Sequence, residues 1–146
     1  GAVAGILQKH PGLPVGLHRL DFPLYQAGGG GPAWGIPVNC SHEPTMWWDG
    51  IDRLQLGRFQ FQVLFVPGHS PGHVAFFEPE SGSLFGGDVL FQQGIGRTDL
   101  PGSDHAELLN SIRTNFLPLP EHTIVYAGHG DDTTIGAEKY ANPFLE

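Results

Sequence analysis

The chain has little positive charge, one cysteine and no long apolar run. Its 146 residues include 7 Lys and Arg against 15 Asp and Glu, giving a formal net charge of −8. Because nucleic acids and anionic membranes are bound by clustered basic residues, and the basic residues here stand singly, neither is expected as a partner. A lone Cys40 excludes an internal disulfide and favours a reducing, cytoplasmic location. No apolar run reaches membrane-spanning length.

The residues that are abundant predict a folded domain with many tight loops. Apolar residues make up 40% of the chain and charged residues 15%, a balance typical of a globular protein. Glycine (22) and proline (13) are both frequent, which favours short connections between elements. The length predicts a single domain over residues 1–146.

Apolar periodicity predicts the order of the helices and strands. Near the N-terminus we expect a helix over 1–8, a short strand within 13–20, a helical turn over 21–26 and a mobile glycine-rich loop over 27–37. Further along we expect a hairpin of strands 53–56 and 59–66, strands over 74–77, 83–86 and 123–126, and helices that begin near 104 and 133. In the strand over 59–66, apolar residues alternate with glutamines, so we expect one face to be buried along its length: Phe59, Phe61, Val63 and Phe65.

Three apolar strands are each followed by small residues and then by a potential metal ligand. His69 follows the strand that ends at Val66, Asp88 follows the strand over 83–86, and His129 follows the last strand. Imidazole and carboxylate groups are ligands that borderline divalent metals prefer. No Lys or Arg lies within eight residues of Asp88, so a metal is the expected counter-charge. The three strand ends therefore predict one metal site.

The other histidines are interpreted conservatively, since a lone histidine is more often a hydrogen-bonded surface or core group than a ligand. This applies to five residues: His10, His18, His42, His105 and His122. His73 could bind metal, but it shares one short loop with His69. We interpret His69 as the ligand and His73 as the residue that supports the loop by hydrogen bonding.

Five segments, in order, resemble the C-terminal part of the metallo-β-lactamase superfamily and within it the glyoxalase II (hydroxyacylglutathione hydrolase)-like proteins. They are PGHSPGH, LFGGDVLF, GIGRTDLPGSDH, YAGHG and TTIGAEKYANPF, and the similarity runs from Arg53 to Leu145. The resemblance implies an α+β fold, an αββα sandwich with two metals at one edge, zinc or possibly iron. It implies that His69 ligates the first metal, Asp88 bridges both and His129 ligates the second.

The resemblance also implies an activity. Family members of this kind hydrolyse thioesters or related esters of small molecules with a metal-bound hydroxide, held in place by the bridging carboxylate Asp88. Arg97, Tyr126 and Lys139 are weak candidates for contacts with the substrate. The pair Arg97 and Asp99 could orient substrate or lock its own loop, and we favour the second role.

The chain departs from the family pattern in one respect: it contains no Thr-His-x-His-x-Asp-His loop, which supplies four further metal-site residues in the superfamily. We therefore expect an N-terminally incomplete domain that needs a missing N-terminal segment or a dimer partner, or else a site reduced to one metal. Without the missing strands, the Phe59 face of the sheet would be exposed. Two other functions remain open: a single-iron sulfur (persulfide) dioxygenase and a non-catalytic truncated domain. The TTIGAEKYANPF ending favours the hydrolase.

Overall fold

The structure is a computed structural model that describes residues 2–29, 31, 35–36, 38 and 42–146. The chain forms two compact units, residues 1–49 and residues 50–146. The single domain expected from the length stays a prediction. No helix in the described ranges is long and apolar enough to cross a membrane.

The first unit contains short elements only. Helix α1 (Ala2–Lys9) precedes strand β1 (Gly16–Leu17), which pairs in parallel with β2 (Met46–Trp47). A 3-10 turn and helix α2 (Phe22–Gln26) follow β1 and confirm the predicted helical turn. The predicted mobile loop over 27–37 falls partly outside the described residues, at 30, 32–34 and 37. Three described glycines of this stretch, 28, 29 and 31, each donate a backbone hydrogen bond.

The second unit is built on a six-stranded sheet in the order β10-β9-β6-β5-β4-β3. All neighbours are antiparallel except β6 and β9, which run in parallel. The predicted hairpin and the three further predicted strands are confirmed. The sheet strands are β3 (Arg53–Leu56), β4 (Phe59–Phe65), β5 (Val74–Glu78), β6 (Ser83–Gly87), β9 (Ile124–Ala127) and β10 (Thr133–Thr134). A separate small hairpin joins β7 (Leu90–Phe91) to β8 (Gly94–Ile95).

Two helices form the hydrophobic core with one face of this sheet. Helix α3 (His105–Ser111) is capped by Asp104, whose side chain accepts a hydrogen bond from the Glu107 amide. The helix continues as a π-helical turn to Phe116. Helix α4 (Ile135–Ala141) is capped by Thr134 in the same way. The predicted apolar stripe of α3 and the turn that follows it is confirmed, because three of its side chains are fully buried: Leu108, Ile112 and Phe116.

The opposite face of the sheet carries aromatic residues that are largely uncovered. The register places Val63, Phe76, Phe85 and Tyr126 side by side across four strands. Phe59 and Phe65 are 44% and 45% exposed, and only Val63 of the predicted face is buried. The expectation of a face buried along the whole of β4 is therefore wrong. The reason is physical: alternation shows which residues share a face, and burial depends on what packs against that face.

Candidate metal centre

Asp88 and the segment before His129 lie side by side because β6 and β9 are neighbouring parallel strands. The amide of Gly128 donates a hydrogen bond to the Gly87 carbonyl at 3.0 Å, which joins the two strand ends. A Cβ atom at Gly128 would lie only 2.1 Å from Oδ1 of Asp88. The carboxylate of Asp88 therefore packs directly on the backbone of Gly128, and a larger residue there would require the carboxylate to move.

The loop that carries His69 is fixed to the start of α3. Gly68 has a φ of +131°, and a Cβ atom there would lie 2.3 Å from the amide nitrogen of Leu108. The Asp104 amide donates to the Gly68 carbonyl at 2.8 Å, and the Ser103 hydroxyl donates to the His69 carbonyl at 2.7 Å. These two hydrogen bonds fix the backbone at Gly68 and at His69.

The imidazole of His69 is oriented by a backbone carbonyl. Its Nδ1 lies 3.0 Å from the Arg97 carbonyl oxygen, and since a carbonyl only accepts, the proton is assigned to Nδ1. The other nitrogen, Nε2, faces Asp88 and lies 3.6 Å from its Oδ2. A histidine whose second nitrogen donates to a carbonyl is the arrangement typical of metal-ligating histidines.

The carboxylate of Asp88 has no hydrogen-bond donor among the described residues. Within ion-pair range it contacts Nε2 of His69, at 3.6 Å. The Asp88 side chain is 35% exposed, so it is less desolvated than its place after a buried strand suggests. An imidazole nitrogen and a carboxylate that face each other attract a cation or a proton between them. This donor pair fits a divalent metal.

His129 is exposed and stacks on an aromatic ring. Its imidazole lies 4.6 Å from the Phe91 ring centroid at an interplanar angle of 27°. Within the described part of the chain, no group of three or more His, Cys, Asp or Glu side chains is placed to hold a metal. The structure thus brings His69 and Asp88 together but does not group all three candidates. The contact with Phe91 was not foreseen: this residue ends the LFGGDVLF segment, but the sequence does not show that its ring lies against His129.

His73 lies next to the same strand end but makes a different contact. Its Nε2 is 3.2 Å from the Gly86 carbonyl oxygen, and its ring occupies the space where a Cβ atom of Gly87 would be, 2.6 Å away. The rings of His69 and His73 are 6.0 Å apart. This geometry suits a residue that supports the strand end from which Asp88 projects, and the supporting role stays a prediction.

The three weaker candidates make structural contacts. Arg97 forms two hydrogen bonds of 2.7 Å with Asp99, which raise the pKa of Arg97 and lower the pKa of Asp99. The Tyr126 ring stacks on Phe85 at 5.3 Å, and the Lys139 ammonium lies 3.2 Å from the Glu121 carboxylate. Their predicted contacts with substrate stay predictions. The group of Arg97 that reaches the candidate centre is its carbonyl oxygen, which has no signature in the sequence.

The family profile described as metallo-beta-lactamase superfamily matches residues 3–129. The chain belongs to this superfamily. It is 50% identical over 142 residues to a Haemophilus influenzae protein named hydroxyacylglutathione hydrolase GloC, an alignment that covers 95% of this chain and 67% of that protein. The similarity predicted from the five motifs is confirmed.

Solved structures show the same fold. The crystal structure of BLEG-1 B3 metallo-beta-lactamase matches with a TM-score of 0.93 and 43% identity, over 99% of this chain and 70% of that one. TTHA1623, solved in a di-iron-bound form, matches with a TM-score of 0.87 and 45% identity, over 99% and 71% of the two chains. The mixed α/β metallo-β-lactamase fold is thereby confirmed, and the superfamily implies a metal site.

Proposed function

We propose that this chain carries part of the centre of a thioester hydrolase that acts on hydroxyacylglutathione-type substrates. One observation carries the proposal: Asp88, a carboxylate without a hydrogen-bond donor among the described residues, faces Nε2 of His69 at 3.6 Å. The name of the Haemophilus relative supports the substrate class. In keeping with the charge of −8, we propose small-molecule partners and no nucleic acid or membrane.

Within this proposal, His69 and Asp88 would hold one metal, and His129 would contribute to a second. A bound divalent metal would supply Lewis acidity and a water of lowered pKa. The chain's own contributions are the Arg97 carbonyl, which keeps the proton on Nδ1 of His69, and the Gly128 backbone, which positions the carboxylate. Zinc is the metal we propose first, and the di-iron form of TTHA1623 keeps iron as an alternative.

The proposal is tested by hydrolysis of S-D-lactoylglutathione with added zinc or iron, with a β-lactam as the second substrate because of the BLEG-1 similarity. We expect residues 1–146 alone to lack an enzymatic rate, since three candidate ligands are too few for two metals. A version supplied with a Thr-His-x-His-x-Asp-His loop, in cis or as a separate polypeptide, should gain tight binding of two metals and thioester turnover together. Equal rates from both versions would contradict this expectation.

The alternatives give different metal contents. A hydrolase of this family should retain two equivalents of zinc-like metal in the supplied version, and a single-iron sulfur dioxygenase should retain one equivalent of iron and consume oxygen. A non-catalytic domain should retain none. Elemental analysis of the purified protein therefore separates the three before any substrate is tried.

A further inference from the structure

A buried polar cluster links helix α4 to the β7–β8 hairpin. Glu138 is 2% exposed, and its carboxylate accepts from the Gln93 amide at 2.9 Å, from the Thr133 hydroxyl at 2.5 Å and from the Asn142 side chain at 2.8 Å. The Asn142 side chain also donates to the Gly94 carbonyl at 3.0 Å. The Gln93 amide at the hairpin tip and the Gly94 carbonyl beside it are therefore bound by side chains of α4 or of its C-terminus.

The hairpin tip needs this support. Gln93 has a φ of +53°, in the left-handed region that non-glycine residues seldom occupy. Such a conformation costs on the order of 1 kcal/mol or more and persists only where the surroundings hold it. The hydrogen bond from the Gln93 amide to a buried carboxylate is the contact that holds it here.

The hairpin connects parts of the candidate metal centre that are far apart in sequence. Asp88 immediately precedes it, and the Gly96 amide closes its base by donating to the Val89 carbonyl at 3.0 Å. Arg97, whose carbonyl orients His69, immediately follows it. Phe91, the ring beneath His129, belongs to its first strand. A shift of this hairpin would therefore move groups that contact all three candidate ligands.

We propose that Glu138 and Asn142 are positioning residues of the metal centre, which act through the β7–β8 hairpin on Asp88, His69 and His129. The inference deepens the proposed function, since it assumes that these residues bind metal. It also accounts for two residues of the TTIGAEKYANPF segment that have no role in the chemistry of the centre.

The test compares Glu138→Gln and Asn142→Ala with a matched control, Glu78→Gln. Glu78 is likewise buried, at 3% exposure, and its carboxylate accepts from the Glu80 and Ser81 amides and from the Ser81 hydroxyl. It lies at the opposite end of the sheet, where β5 ends. All variants are made in the 146-residue chain, and thermal unfolding establishes that each is folded and how much stability it has lost.

The first readout needs no metal. Long-range ¹H–¹⁵N NMR of the metal-free protein reports which nitrogen of His69 carries the proton. The wild type and Glu78→Gln should show the Nδ1–H form, and Glu138→Gln should show a mixture of the two forms. Amide hydrogen exchange at Gln93 should become faster in Glu138→Gln and stay unchanged in the control.

The second readout is Zn²⁺ titration followed by the same signals. The dissociation constant should rise by about 10–100-fold in Glu138→Gln and in Asn142→Ala, as expected when the groups behind a ligand are disturbed. It should change by no more than about twofold in Glu78→Gln. Folded Glu138 and Asn142 variants with the wild-type tautomer and wild-type zinc affinity would overturn the inference. A wild type that binds no Zn²⁺ would instead contradict the proposed metal centre, while the tautomer comparison would still decide the role of Glu138.

Discussion

The two ends of the β5–β6 pair each carry a carboxylate, and the surroundings of the two groups differ. At the far end, Glu78 is 3% exposed and accepts hydrogen bonds from the Glu80 and Ser81 amides and the Ser81 hydroxyl. At the other end, Asp88 has no donor among the described residues and faces a histidine nitrogen at 3.6 Å. A carboxylate whose lone pairs accept hydrogen bonds stabilises a turn, whereas one that faces an imidazole nitrogen without a hydrogen bond can take up a cation.

The largest expected difference between the two ends is in metal binding. Asp88→Asn should raise the Zn²⁺ dissociation constant by more than about 100-fold, the upper range for losing a group that only orients a ligand. The same change at the far end, Glu78→Gln, should leave zinc affinity unchanged. Isothermal titration of both variants with Zn²⁺ makes the measurement. If both lose affinity equally, the effect is a general loss of structure and the comparison fails.

The free energy of unfolding should fall more in Glu78→Gln than in Asp88→Asn, the reverse of the order for zinc affinity. Glu78→Gln replaces an acceptor with a donor beside the Ser81 amide, so it should lower the free energy of unfolding. Asp88→Asn removes a carboxylate with no donor to lose and should cost less. Urea unfolding of the metal-free proteins provides this check, and a larger cost at Asp88 would show that the group supports the fold.

The next largest loss of zinc affinity is expected from a methyl group added beside Asp88. Gly128→Ala would place Cβ 2.1 Å from Oδ1 of Asp88, so the carboxylate must move by an ångström or more. We expect zinc affinity to fall by about 100-fold, a loss typical of such misplacement, with roughly 1–3 kcal/mol of stability lost to overpacking. Circular dichroism and zinc titration measure the two effects.

Gly5→Ala is the control, because nothing lies within 4 Å of a Cβ atom there and the residue sits inside α1. It should raise stability by about 0.5–1 kcal/mol, the usual gain from replacing a helical glycine. Unchanged zinc affinity in Gly128→Ala would mean that Asp88 can bind metal from a different position.

Replacing His73 should have an intermediate effect. His73→Ala removes the ring that packs against Gly87 and contacts the Gly86 carbonyl, so the strand end before Asp88 loses support. Zinc affinity should fall by about 10–100-fold, less than for Asp88→Asn. A loss as large as that of Asp88→Asn, measured in the same titration, would assign His73 as a ligand.

The sequence predicted most of the second unit because local patterns decide it. Alternating residues gave β4 its two faces, and Asp104 followed by Leu108, Ile112 and Phe116 marked the start and the apolar stripe of α3. The alternation in β4 did not predict the exposure of Phe59, since a strand pattern does not reveal whether a second layer covers it. The expectation of exposure came instead from the absence of the family's N-terminal metal loop.

The candidate site was predictable in part for a related reason. His69, Asp88 and His129 each follow an apolar strand, and this position after a strand can be recognised in the sequence. The groups that orient them are backbone atoms or distant side chains: the Arg97 carbonyl, the Gly128 backbone and Glu138. Such contacts depend on tertiary structure alone, because any residue has a carbonyl and a buried glutamate pairs with whatever the fold brings to it.

The smallest expected effect is the pH dependence that Glu78 adds to stability. Its hydrogen bond from the Ser81 hydroxyl, followed by that from the Ser81 amide, lowers its pKa below the usual value of 4.5. A group with a depressed folded pKa contributes stability that is fully present above its unfolded pKa and is lost as pH falls through the folded value. The stability gap between wild type and Glu78→Gln should therefore be constant above about pH 5 and shrink below it.

Asp99 and Glu121 also have lowered pKa values, through hydrogen bonds from Arg97 and Tyr140, but both are present in each protein and cancel in the difference. Urea unfolding at a series of pH values measures the gap. A gap that stays constant or widens on acidification would show that the Glu78 carboxylate is not the ionised acceptor that distinguishes the far end of the sheet.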